Sequence, residues 1–377
     1  MATNNNDKTL NVPPLRFPEF TGEWQKYSLG EIGETIIGLT YKPSDVVENN
    51  GTIVFRSSNI KNGEIDYSDL VRVNKPIKDR IITTENDILV CARNGSQRLI
   101  GKNAIIKKED ANNTFGAFMM VYRSNENSFI RPLLSTKRYF SQVGENLGAR
   151  INQITTSDFN GFEFYFPDNH IERTKIAKLF RLIDERIVSQ NKIIEKLESL
   201  IRGLCLKLVS QGIPNTTLNT CLECHSSILQ EKSVTTDGKY PVYGAAGICG
   251  YSDTPEASGD SILIIKDGAS VGATFYVSGK YSAIGTLNRL TARPGCSLRY
   301  LYYCLKIFDF SQYKTGQAIP HIYFRDYGIA KIWCPSLAQQ EHIAGILTSI
   351  DTKIQMERSL LEHLTIQKRF LLRNMFI

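Results

Sequence analysis

Six polar side chains crowd the segment CARNGSQRLIGK: Arg93, Asn94, Ser96, Gln97, Arg98 and Lys102. A guanidinium forks onto the acceptor edge of guanine, a carboxamide onto adenine, and an ammonium onto phosphate oxygens. A second segment, IIKDGASVGA, offers a different set: Lys266, Asp267 and Ser270. Two later blocks add groups that could share the task. One carries Gln153, Thr155 and Thr156; the other carries Gln317, His321, Tyr323 and Arg325. All of these residue types are also ordinary in solvated turns, so placement must make the case.

Metal chemistry has one candidate, Cys221-Leu-Glu-Cys224-His225, which spells a covalent haem-attachment pattern. That chemistry requires export, and the polar start MATNNNDKTLN has no apolar signal core. A zinc site would want a second ligand pair at suitable spacing, and there is no other C-x-x-C. The expectation is therefore no metal, no catalytic residue, and eight reduced thiols in a reducing compartment.

The elements that hold these segments come in two copies. IAKLFRLIDERI from Ile176 matches IAGILTSIDTKI from Ile343, with Asp184 on Asp351 and Arg186 on Lys353. Upstream, GARINQITTSDF from Gly148 lies over GQAIPHIYFRDY from Gly316. Ile151 falls on Ile319, Asp158 on Asp326 and Pro167 on Pro335. A weaker third match lays Asp87-Ile-Leu-Val and Asn94-Gly95 over Asp260-Ser-Ile-Leu and Asp267-Gly268. Three blocks in the same order indicate a tandem duplication of one module.

Each copy ends in a helix pattern with apolar steps of three and four. The seam positions are Ile183, Ile187, Ile194, Leu197 and Leu204 in the first, with a Gln at 190. In the second they are Ile350, Ile354, Leu361, Leu364 and Leu371, preceded by Ile343 and Ile346. Runs of about 40 residues would extend about 60 Å. Such stripes need a partner, and an antiparallel coiled coil between the two, with pseudo-twofold symmetry, is the expectation. The parts ahead of the helices read as strand-rich, with strands near Thr52, Asp87, Phe118 and Ser261. Helical character is expected near 129–143 and 297–313, with Phe140, Tyr302, Tyr303 and Phe308 as core aromatics.

The chain has 377 residues and a formal net charge of +7, with Arg80, Arg93, Arg98, Lys102, Lys107 and Lys108 concentrated in one stretch. That excess allows a polyanionic partner without requiring one. No apolar run reaches the roughly 18 residues of a membrane span, so the expected location is the cytoplasm, with no membrane contact.

The opening LRFPEFTGEW, the block ENDILVCARNGS, the doubled GARINQITTSDF/GQAIPHIYFRDY and the proline-led FPDNHIERTKIAKLF and CPSLAQQEHIAGIL together resemble the specificity subunits of type I restriction–modification systems. The resemblance spans nearly the whole chain from Leu15. It departs after Pro167, where Asp-Asn-His-Ile-Glu-Arg replaces the Glu-Gln-like pair approximated after Pro335. The fold class it implies is α+β, with two tandem mixed target-recognition domains each followed by a spacer helix. The expected divisions are 1–16 as a flexible tail, 17–168 as the first recognition domain, 169–212 as a helix, 213–336 as the second recognition domain and 337–377 as a helix.

The resemblance also implies a non-catalytic subunit that reads a two-part site on double-stranded DNA. It would scaffold two adenine methyltransferase subunits, which motor-nuclease subunits can join. S-adenosylmethionine would sit on the methyltransferase, leaving this chain without a cofactor. The rival readings are a coiled-coil protein–protein adaptor without DNA specificity and a single-chain enzyme. The enzyme would need an Asn/Asp-Pro-Pro-aromatic loop, which Asn11-Val-Pro-Pro-Leu does not supply, and a glycine-rich cofactor turn, for which GAAGICG at 244–250 lacks the strand-to-helix context; no phosphate loop occurs either.

Overall fold

A computed structural model describes residues 11–147 and 152–377. Gly148 and Ile151, used above to align the repeat, lie outside the described residues. Two compact units emerge. The first, described from Asn11, runs to Ser189 and takes in Leu361–Ile377; the second is Gln190–Leu360. The divisions differ from those expected because each unit claims half of each long helix rather than leaving the helices as separate pieces.

In the first unit, four antiparallel strands lie in the order Glu34–Ile37, Met119–Arg123, Ile88–Cys91, Asn103–Ile105. The strand Ile88-Leu-Val-Cys91 is fully buried on both faces. Ile88 and Val90 enter a core with Trp24, Phe129, Tyr139 and Phe180, whereas Leu89 and Cys91 enter a second core with Ile53, Phe55 and Phe115. That double burial is why this stretch is continuously apolar rather than alternating. A second sheet orders Thr114–Phe115, Thr52–Phe55, Arg72–Val73 and Val46–Val47, its first pair parallel.

The second unit repeats the principal sheet as Leu222–Ser226, Leu287–Ala292, Ser261–Ile265, Thr274–Val277, again antiparallel throughout. Its other sheet is built differently. The hairpin Tyr240–Gly244 with Gly247–Ser252 replaces the first unit's outer strands, and Lys280–Ala283 runs parallel to Tyr240–Gly244. In both units a short two-stranded pair closes the base: Gln25–Ser28 with Glu163–Phe166, and Thr216–Thr217 with Lys331–Ile332.

The helix His170–Val209 and the helix Leu337–Asn374 match the two long apolar periodicities. Within the first unit, Asp184 pairs with Lys368, and Phe180 stacks on Phe376 with ring centroids 5.5 Å apart. Within the second, Glu198 pairs with Arg358 at 2.5 Å, while Ile201 and Cys205 share a core with Ile343 and Leu347. In each unit, then, the helix segments run antiparallel. Fully burying a side chain such as Phe180 or Leu347 stabilises by about 1.5–3 kcal/mol, enough to hold the halves down.

All ten seam residues are buried or half-buried. Ile346 is not part of the seam: it is exposed, and Leu347 with Ala344 takes its place against the core. Gln190, the polar interruption, is buried in the second unit, where its carboxamide donates to the Glu357 backbone oxygen at 3.1 Å and to the Glu357 carboxylate. A buried polar pair of this kind tolerates little slippage, because any shift strands both groups without partners.

The described part of the expected tail, residues 11–16, is tied down. Trp24 N donates to Asn11 O, Leu15 N to Asn374 O, and Arg16 forks onto the buried Glu172 at 2.7 Å. The expected helical stretches appear as Asn127–Leu133 with Lys137–Glu145, and as Leu298–Lys306. Of the four core aromatics, Tyr303 is buried, Tyr302 and Phe308 pack at the edge of the core, and Phe140 is exposed.

Candidate nucleic-acid interface

The two loop segments of each unit, remote in sequence, are joined by backbone hydrogen bonds. In the first unit Ile154 N donates to Ala92 O at 3.0 Å and Asn94 N to Asn152 O at 3.2 Å, with Arg93 and Gln153 forming a bridge pair. In the second, Ile322 N donates to Lys266 O at 2.9 Å and Gly268 N to Pro320 O at 2.9 Å, with Asp267 and His321 as the bridge pair. The junctions are equivalent bond for bond.

This equivalence corrects the sequence alignment by one residue. Ala92, Arg93 and Asn94 correspond to Lys266, Asp267 and Gly268, so Asn94 does not stand over Asp267. The strands agree: Ile88 and Val90 share a face as Ile262 and Ile264 do, and Leu89 and Cys91 correspond to Leu263 and Ile265. The earlier register would have laid Ile88 on Ser261 and exchanged the two faces of the strand.

Both loops close on a glycine in the left-handed region, Gly101 at φ +79° and Gly272 at φ +94°. Gly101 N returns to Cys91 O at 2.9 Å and Gly272 N to Ile265 O at 2.8 Å. A β-carbon at Gly272 would come within 2.8 Å of Phe310, and one at Gly101 within 3.0 Å of Val143. Between strand and glycine the first unit holds residues 92–100 and the second only 266–271, three fewer. The longer loop gains a short helical turn, Gln97–Leu99, which presents Gln97 and Arg98 to solvent. Burial pushes the Cys91 thiol, at the foot of this loop, up to about 11, so it stays neutral.

The candidate side chains divide by what already occupies them. Arg93 is exposed and lies over the Phe118 ring, 5.0 Å from its centroid; Phe118 itself is exposed. Gln97, Arg98, Lys102 and Gln153 make no side-chain hydrogen bond or ion pair among the described residues. Asn94 has both ends engaged, donating to Ser57 Oγ at 2.9 Å and accepting from Ser96 N at 3.0 Å. Thr155 caps the helix Thr156–Asn160 in a reciprocal box with Asp158. Asn94 and Thr155 therefore shape the site, a role that residue type alone could not separate from base contact.

In the second unit His321 packs edge-on against Tyr323 with centroids 5.1 Å apart, and the Arg325 guanidinium lies 4.9 Å over the same ring. Thr315 and His321 exchange backbone bonds at 2.8 and 2.9 Å, closing the loop that exposes Gln317 and Ile319. Lys266 and Asp267 are half-buried and Ser270 is exposed. Where the first unit offers a cation at Arg93, the second offers the carboxylate of Asp267, an acceptor suited to the cytosine amino group.

A cleft of about 400 Å³ opens beside Arg93 and Asn94. Its wall includes Thr40, Tyr41, Arg56, Ser57, Ser58 and Phe118, none of which the sequence reading assigned to the site. Arg56 reaches Asp69 at 2.8 Å, and its Nε is buried without a hydrogen-bond partner among the described residues. An arginine and serines ahead of a turn were the available signal, but nothing in the sequence brings residues near 56 beside residue 93. Conversely, the basic stretch is partly neutralised: Arg80 pairs with Glu34 at 3.0 Å and Lys107 with Glu64 at 2.8 Å.

The haem-like motif is dispersed. His225 Nε2 bonds Thr291 Oγ1 at 3.1 Å, while Cys221 faces Cys296 and Cys334 instead of Cys224. Among the described residues no helix is long and apolar enough to cross a membrane.

The two units thus present unlike polar loops on one duplicated scaffold, and comparison with known proteins gives the family of that scaffold. The family model for the type I restriction modification DNA specificity domain matches residues 21–199 and 223–365, and the chain belongs to that family. It is 22% identical over 213 residues to the type I restriction enzyme StySPI specificity subunit of Salmonella potsdam, covering 54% of this chain and 46% of that protein. It is 28% identical over 194 residues to the EcoKI specificity subunit of Escherichia coli K12, covering 48% and 42%. The matches thus span less than half the length of these curated relatives. Among solved structures, the type I restriction–modification S subunit of Mycoplasma genitalium superposes with a TM-score of 0.71 at 20% identity, over 97% of this chain and 99% of that one. That likeness is one of fold, and it extends through both units.

Proposed function

We propose that this chain reads a two-part target on double-stranded DNA, one part with each unit, and performs no catalysis itself. The observation that carries this reading is the pair of junctions: identical backbone bonding at Ala92–Asn94 and Lys266–Gly268, with Arg93 offered by one and Asp267 by the other. A scaffold duplicated for stability alone would have no reason to exchange a cation for a carboxylate at equivalent positions. Two different base patterns would require such an exchange. Arg93, Gln97, Arg98, Lys102 and Gln153 serve the first half-site, with Arg56 and Phe118 lining the adjoining cleft. Lys266, Asp267, Ser270, Gln317, His321, Tyr323 and Arg325 serve the second.

The long helices then act as the platform for two adenine methyltransferase subunits, on which S-adenosylmethionine is bound, and motor-nuclease subunits join that core. The working compartment is the cytoplasm. A continuous antiparallel coiled coil of the two helices, holding the half-sites at fixed spacing, belongs to the same proposal.

The experiment is DNA binding by the chain with its methyltransferase partner across a salt series, followed by mapping of methylated adenines. Affinity should fall steeply with salt through counterion release, while sequence preference persists. Binding that lacks preference, or no binding at low salt, would favour a protein–protein adaptor.

A further inference from the structure

Three cysteines far apart in sequence converge in the second unit. The Sγ atoms of Cys221, Cys296 and Cys334 all lie within 4.8 Å of one another. Cys221 is buried and ends the short helix Leu218–Cys221; Cys296 and Cys334 are half-buried. Cys296 stands just ahead of the helix Leu298–Lys306, and Cys334 just ahead of the helix Leu337–Asn374. The backbone around them is held in place. Asn215 clamps Cys334 through two hydrogen bonds of 2.8 and 2.9 Å, and Cys296 N donates to Arg293 O at 3.1 Å.

The first unit shows what this place holds when it is only a core. Leu29 N bonds Phe162 O just as Leu218 N bonds Ala330 O, and Tyr27 faces Phe164 just as Thr216 faces Ile332. By that register Cys221 stands where the first unit has Ile32, and Cys334 where it has Phe166. Both of those residues pack in the apolar core, Phe166 against Phe129 with centroids 5.2 Å apart. Replacing a phenylalanine and an isoleucine by thiols forfeits apolar packing, and a third thiol from a separate segment completes the group.

We propose that Cys221, Cys296 and Cys334 form a zinc site, three thiolates with a water molecule on the fourth position. Zinc–sulfur bonds of about 2.3 Å in a tetrahedron separate the sulfurs by about 3.8 Å, a contraction that side-chain rotation supplies. Three thiolates around Zn²⁺ leave one net negative charge. Arg293 braces the backbone here: its N donates to Cys221 O at 2.8 Å and its Nε to Leu222 O at 3.3 Å. The ion would staple the base of the sheet to the starts of two helices, work that the phenylalanine and isoleucine perform in the first unit. The motif Cys221-x-x-Cys224-His225 is not the ligand set, which departs from the sequence expectation of a chain without a metal.

The test uses the full chain, purified under reducing conditions and titrated with Co²⁺ as a spectroscopic substitute and then with Zn²⁺. One ion per chain is expected, with thiolate-to-cobalt absorption that Zn²⁺ abolishes. Zn²⁺ should also raise the thermal midpoint of the chain relative to chelator. Cys296→Ser and Cys334→Ser should each lose the absorption and weaken binding by about tenfold or more. These half-buried positions are chosen because Cys221 is buried and its replacement could prevent folding. Cys249→Ser, at an exposed thiol, should leave binding unchanged. No stoichiometric binding by the reduced chain overturns the proposal. So does unchanged binding in the Cys296/Cys334 double variant.

Discussion

The loop at residues 92–100 and the loop at 266–271 hang from the same backbone junction yet carry different polar chemistry. The first is longer by three residues and brings Arg93, Gln97 and Arg98 to the surface; the second is shorter, exposes Ser270 and leaves Lys266 and Asp267 half-buried. What is shared is what builds the platform: the buried strand, the bridge to the second loop and the left-handed glycine. What differs is what a ligand would touch. The polar side chains of the loops can therefore change without cost to the core; only Ile100 and Val271, each just ahead of its glycine, enter it, and both are apolar.

The strongest way to test that separation is to exchange the loops. Placing 92–100 between Ile265 and Gly272 should leave the fold intact and abolish preference at the second half-site only. Losing two or more base contacts amounts to about 10²- to 10⁴-fold, read by competition binding with the methyltransferase partner. A chain that unfolds on exchange would show that the loops and the platform are not independent.

Next in size are single contacts. Arg93→Ala and Arg98→Ala should each cost about 1–3 kcal/mol wherever a true base contact is lost, and at the first half-site alone. Equal loss at both half-sites would break the two-unit comparison. Thr155→Ala removes a reciprocal cap and should lower stability by about 0.5–2 kcal/mol in a denaturation curve without altering sequence preference. Its counterpart Tyr323 caps with no side-chain bond, so Tyr323→Ala should leave stability nearly unchanged while weakening second-site binding. Phe118→Ala is the smallest test. Removing the ring beneath Arg93 should cost about 0.5–1 kcal/mol of first-site affinity, because the cation–π pair is exposed.

Much of this architecture was legible in the residues. The duplicated blocks, both long helices and the strands near Ile88 and Ser261 follow from apolar periodicity, which reflects local geometry and reads directly along the chain. Register was harder. A one-residue error between Asn94 and Gly268 is invisible to similarity, because loops of unequal length let either alignment score; the hydrogen bonds to Asn152 and Pro320 and the core faces of the two strands decide it. Ile346 and Leu347 are adjacent and equally apolar, so the face buried depends on what the sheet presents to the helix.

What the sequence determined by itself was the repetition, the helix lengths and the polar inventory of the two loops, since each depends on neighbours within a few turns. Tertiary structure alone decided which of those polar groups are free and which are spent on the fold, as Asn94 and Thr155 are. It also set Arg56 beside Arg93 and gathered Cys221, Cys296 and Cys334. Contacts across a hundred residues arise from sheet order and core packing, and linear spacing carries no record of them.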